Sequence, residues 1–73
     1  MDLHDLRGRL AKVNEDAEVL IRDIQEMLTL GDISGNRAWT DLFNGMMKRY
    51  KNTIEDNEEV MSRIDKHLIS AGD

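Results

Sequence analysis

Residues 3–27 read LHDLRGRLAKVNEDAEVLIRDIQEM, and the placing of their apolar side chains decides the fold. Leu3, Leu6, Leu10, Val13, Ala17, Leu20, Ile24 and Met27 recur at alternating steps of three and four. Such steps line one face of an α-helix, whereas a half-buried strand alternates every second residue. The spacing predicts an a/d heptad seam, the pattern by which one helix packs lengthwise on another. Asp2 precedes the seam as a candidate N-cap, and Asp5 sits in the first turn, where the helix dipole favours a carboxylate. Gly31 follows Leu30 and is expected to close the helix in the left-handed conformation that glycine tolerates. A helix over residues 3–30 would be roughly 40 Å long.

Beyond it, Gly31-Asp32-Ile33-Ser34-Gly35-Asn36 reads as a loop, with Ser34 or Asn36 as the N-cap of a second helix. Phe43, Met47, Tyr50, Ile54, Asn57, Met61, Ile64 and Leu68 form a second seam with the same alternation. Trp39, Met46, Thr53, Val60 and His67 lie beside it and widen the stripe. Asn44-Gly45 is a turn-type pair, but Phe43, Met46, Met47 and Tyr50 carry the helical period through it. An interior glycine costs about 1 kcal/mol against alanine, which a packed face absorbs. Helix 2 is therefore expected over about 36–70, with Lys66 and His67 complementing the dipole in its last turn and Gly72 as a stop. The predicted fold class is all-α: one domain over 1–73, two long amphipathic helices folded back as an antiparallel hairpin.

Charge patterning argues for a hairpin over a single rod. With the chain turning near residue 33, residue i would lie near residue 66 − i. Lys48, Arg49 and Lys51 would then face Glu15, Asp16 and Glu18. Glu55, Asp56, Glu58 and Glu59 would face Arg7, Arg9 and Lys12, and Arg63 and Lys66 would face Asp2 and Asp5. Exposed ion pairs are worth only about 0–1 kcal/mol each, so these blocks would select a pairing more than stabilise it.

Composition excludes several alternatives. The 73 residues include no Cys, which removes disulfides and thiolate metal sites. Forty per cent are apolar and 34% charged, with no Pro, five Met and three aromatics, a mix that suits a helical bundle better than a sheet. The chain opens on Met1 and is expected to be a complete small protein, cytoplasmic, with an N-terminus too polar for a signal peptide. No run approaches the roughly 20 apolar residues that span a bilayer. A net charge of −5 argues against a general nucleic-acid or anionic-membrane surface.

Two helices touch along one line, yet each helix here carries more apolar residues than one line uses. The surplus gathers near the loop, where Leu28, Leu30, Trp39, Leu42, Phe43 and Met46 are the expected interface. A homodimer forming a four-helix bundle would bury them, as would docking onto a larger protein. Asn57, polar within an apolar seam, would either fix register or oligomer state or face solvent at the open end of the hairpin.

Constellations for chemistry are weak. His4 and His67 meet at the open end of the expected hairpin with Asp5 and Asp65 nearby, but nothing fixes four ligands tetrahedrally. Glu15-x-x-Glu18, Asp23-x-x-Glu26 and Glu55-x-x-Glu58 have the spacing that binds Mg²⁺ in all-α nucleotide hydrolases, but Glu15, Glu18, Glu55 and Glu58 fall off the apolar seams. Lys48-Arg49-Tyr50-Lys51 is a short basic run whose Tyr lies on the seam. No catalytic, cofactor-binding or metal-binding residue is therefore assigned. The expected function is a small non-enzymatic interaction module, a regulator, inhibitor or adaptor that binds a larger protein by helix-in-groove contact, of a kind encoded by phages and plasmids. The alternatives are a self-assembling structural oligomer and a minimal Mg²⁺-dependent nucleotide hydrolase.

Overall fold

A computed structural model describes residues 1–72. Helix α1 runs Leu3–Leu30 and helix α2 runs Arg37–Gly72, and the two pack antiparallel as a hairpin. The molecule is a rod of 56 × 17 × 14 Å.

Both ends of α1 and the start of α2 are satisfied locally. Asp2 and Asp5 form a reciprocal capping box: the Asp5 amide donates to Asp2 Oδ1 at 2.9 Å, and the Asp2 amide donates to Asp5 Oδ2 at 3.3 Å. Asn36 caps α2, its Oδ1 accepting from the Trp39 amide at 3.2 Å. Ser34 takes the other end of the loop, its hydroxyl donating to the Thr29 carbonyl at 3.1 Å. That carbonyl is one of the acceptors that the end of α1 leaves without a helical partner.

The glycines divide the work differently from the expectation. Gly31 is extended, with φ −86° and ψ −178°, and does not take the left-handed form. Its requirement is space: a Cβ there would fall 2.6 Å from the Met27 carbonyl oxygen and would also strike the Met27 sulfur. Gly35 carries the left-handed conformation, with φ +80°, and reverses the chain one residue before the Asn36 cap. Helix α2 passes unbroken through Asn44-Gly45.

The core is a single line of contact. Ala17, Ile21, Ile24, Met47 and Ile54 form its centre, with Leu28, Phe43, Met46 and Tyr50 packed against it. All eight expected seam residues of α2 are buried or half-buried. The seam of α1 needs correction after Leu10. There the contact line steps to Asn14, Ala17, Ile21, Ile24 and Leu28, while Val13, Leu20 and Met27 are 48%, 40% and 47% exposed. A straight helix of 3.6 residues per turn drifts by about 20° per heptad from a strict seven-residue repeat. One step of four in place of three at Asn14 keeps the contact line facing α2.

The register also differs. Arg7 meets Asp65 and Asn14 meets Asn57, so residue i lies near residue 71 − i, about five residues further along α2 than the charge blocks imply. The consequence is that Glu18 shares a groove with Glu55, Glu58 and Lys51 rather than facing bases alone. Seam burial explains why: an apolar side chain fully removed from water contributes about 1.5–3 kcal/mol, against about 0–1 for an exposed ion pair. Meshing of the seams overrides charge matching.

Candidate interaction surface

The Asn57 alternative is decided in favour of register. Asn57 Nδ2 donates to Asn14 Oδ1 at 2.9 Å, and Asn14 Nδ2 donates to the Ile54 carbonyl at 3.3 Å. Asn14 is 7% exposed, and no buried side-chain nitrogen or oxygen among the described residues lacks a partner. A polar pair inside an apolar seam is satisfied in one register and orphaned in its neighbours.

Nearer the open end, Arg7 Nε and Nη2 donate to the two carboxylate oxygens of Asp65 at 2.5 and 3.1 Å. This bidentate pair is the one ion pair between the helices among the described residues. The hydrogen bond from Arg7, with its positive charge, holds the Asp65 carboxyl below the ordinary Asp range against a smaller opposing effect of burial. The remaining pairs, Lys12–Asp16, Arg37–Asp41 and Arg63–Glu59, lie within a helix at spacing i,i+4.

The hairpin has two unlike broad faces. On one, Glu18, Lys51, Glu55 and Glu58 rim a groove floored by Ile21 and Ile54. On the other, Val13, Ala17, Leu20, Tyr50 and Thr53 line a groove with Asp16 at its edge. Val13, Leu20 and Met27 recur every seventh residue on that second face, as do Met46, Thr53 and Val60 from α2. Val60 is 42% exposed. No described residue covers this open face, and no described side chain is completely enclosed.

The six residues expected at an interface are split by the hairpin. Leu28, Phe43 and Met46 pack against the core and are half-buried. Trp39 stacks on Phe43 with ring centroids 5.6 Å apart, leaving 45% of Trp39 exposed. Leu42 is 54% exposed and Leu30 79%. Leu30 lies on the far side of α1, about 180° from Ile21 at 100° per residue. Leu30, Trp39 and Leu42 therefore surround the tip of the hairpin without forming one flat patch. Sequence reading missed the open-face residues Val13 and Leu20, because it had assigned both to the contact with α2.

The other candidate groups do not converge. His4 and His67 are exposed, and among the described residues no set of three or more His, Cys, Asp or Glu side chains is placed to hold a metal ion. The carboxylates of the three E-x-x-E-type pairs are on exposed residues. In the basic run, Tyr50 lines the apolar groove while Lys51 lines the charged one, so the run does not build one basic surface. Among the described residues no helix is long and apolar enough to cross a membrane.

Fold and surface together define a two-helix hairpin with one charged face and one apolar face. Comparison with protein-family models, with curated proteins and with solved structures finds no match to the chain.

Proposed function

We propose that the chain is a non-enzymatic protein-interaction module, a small regulator or adaptor that docks through the tip of its hairpin onto a larger protein. The observation that carries this reading is the large apolar side chains exposed around the tip: Leu30, Trp39 and Leu42. Aromatic anchors of this kind dominate interface energies, and Trp39 is held in a fixed orientation by its stack on Phe43. The rigidity of two capped helices favours such a role, since less freedom is lost on binding.

The test is site-specific photo-crosslinking in the native cell, with the crosslinker at Leu42 or, as a control, at Glu58 on the charged face. The reading expects one protein to be captured from position 42 and not from position 58. Trp39→Ala should lower its recovery at least tenfold, the effect of losing an anchor worth about 1.4 kcal/mol or more. A Trp39→Ala, Leu42→Ala protein that keeps every partner of the parent would end the proposal.

A further inference from the structure

We propose that the tip of the hairpin recognises a basic, amphipathic segment of its partner, with a Lys or Arg side chain of that segment laid in a hollow beside Leu30. This inference rests on the reading of the tip as a docking surface and adds the chemistry of what docks there.

The first argument is where the charge lies. Residues 23–42 carry Asp23, Glu26, Asp32 and Asp41 against Arg37 alone, so this part of the chain holds three of its five net negative charges. All five of these residues are exposed, and the one base already lies 3.9 Å from Asp41. Among the described residues, Asp23, Glu26 and Asp32 belong to no ion pair. The denser acidic stretch, Glu55 to Glu59, is bracketed by bases, with Lys48, Arg49 and Lys51 before it and Arg63 and Lys66 after it. The helix dipoles do not reverse the sign at the tip, because α1 ends there and α2 begins there, so their opposite ends largely cancel. The acids share their surface with Met27, Leu30, Trp39 and Leu42, all exposed. A surface that is apolar and anionic together selects a partner that is apolar and cationic together.

The second argument is the hollow itself. Asp23, Glu26, Met27, Leu30 and Gly31 line a space of about 310 Å³ at the end of α1. Asp23 and Glu26 are three apart on the helix and so are neighbours on its surface, where one cation can reach both. Met27 and Leu30 have the same spacing and supply an apolar wall. Long cationic side chains match this division, since the carbon stem lies along apolar surface while the charged head stays with polar groups. The last turn of α1 has no base of its own to take that place. Across the tip, the exposed part of the Trp39 ring attracts a cation as readily as an apolar group.

A second copy of the chain does not offer this chemistry. Its tip carries the same acids, and its basic run is divided between two faces, with Lys51 in the charged groove and Tyr50 in the apolar one. Nucleic acid and anionic membrane are repelled by the same carboxylates.

The experiment uses the full chain and its one tryptophan, Trp39, as reporter. The probes are two synthetic helical peptides without Trp, one built of Leu and Arg, the other of Leu and Glu. The Leu-Arg peptide should shift the Trp39 emission to saturation, less tightly as salt is raised, and the Leu-Glu peptide should leave it unchanged. Asp23→Asn with Glu26→Gln should weaken the Leu-Arg peptide about fivefold, with far-UV circular dichroism unaltered. Glu55→Gln with Glu58→Gln makes the same change of net charge on the charged face and should leave the affinity as it was. In the cell, the protein crosslinked from position 42 should be recovered less from the Asp23→Asn, Glu26→Gln chain. Full recovery from that chain would overturn this inference and leave the docking tip standing, whereas no capture at position 42 would remove the docking tip itself. A Leu-Arg peptide that does not bind, a Leu-Glu peptide that binds as well, or an equal loss in the Glu55→Gln, Glu58→Gln chain would also overturn it.

Discussion

Replacing Asn57 with Ala removes the donor that satisfies the Asn14 side-chain carbonyl. Asn14 is 7% exposed, so water cannot fully take the donor's place. An orphaned buried polar group costs about 1–3 kcal/mol, within a total stability of about 4–11 kcal/mol for a chain of this length. The expected fall in Tm is about 4–8 °C per kcal/mol. Asn14→Ala should cost less, about 1 kcal/mol, because it removes the buried polar group itself and leaves the half-buried Asn57 amide able to reach water. The double variant Asn14→Leu, Asn57→Leu should come close to the parent or exceed it, since both polar groups vanish into an apolar seam. Urea denaturation followed by far-UV circular dichroism, with all chains at one concentration, measures each value. The reasoning requires a coupling energy between the two positions of at least about 1 kcal/mol. Single effects that add in an Asn14→Ala, Asn57→Ala chain to within about 0.5 kcal/mol would refute it. The double Leu chain should also lose register specificity, seen as a broader unfolding transition with a lower m-value.

Other substitutions probe the loop, the helix interiors and the open end. Gly35→Ala should cost about 1–2 kcal/mol, because φ +80° strains any L side chain; an unchanged urea midpoint would show that the turn can re-form in another geometry. Gly8→Ala meets nothing within 4 Å and should stabilise by about 0.5–1 kcal/mol through helix propensity alone, and a drop in Tm would contradict that account. The Asp65 carboxyl titrates below its ordinary value in the folded chain, so its contribution is present above the unfolded value of about 3.9 and is lost as pH falls through the lower folded one. Asp65→Asn should therefore be less stable than the parent at neutral pH, with the gap closing below about pH 4. A gap that stays constant across that range would show the Arg7 pair to be without energetic weight.

Much of this architecture was legible from residue spacing. The α2 seam from Phe43 to Leu68 is the buried face of that helix, and Asp2 and Asn36 cap where their side-chain oxygens suit a first turn. The α1 seam misled because Val13, Leu20 and Met27 share an unbroken heptad pattern with residues that are buried. The pattern records two adjacent contact lines, and spacing alone does not say which of them meets α2. Asn14 was passed over for a related reason. A polar residue reads as outward-facing until its partner is known, and that partner, Asn57, is 43 positions away. Register escaped because it depends on how the loop seats α2, and weak surface charges report it poorly. The surface around Trp39 was visible as an apolar surplus, but its separation from Leu30 by the width of α1 required the fold.

The loop between Leu30 and Arg37 also has a kinetic consequence. Its closure is short and local, and Ser34 and Asn36 supply its hydrogen bonds from within or next to the loop. Bringing Arg7 to Asp65 means closing 58 residues. Ring closure over so long a segment is entropically costlier, so pairing of the helices is favoured to start at the loop and zip outward. Substitutions at Gly35 should then slow folding, whereas Asp65→Asn should chiefly speed unfolding, a division that stopped-flow chevrons resolve. On this reasoning the contacts toward the open end, the Arg7–Asp65 pair among them, form late and release early, while the loop governs how fast the hairpin closes.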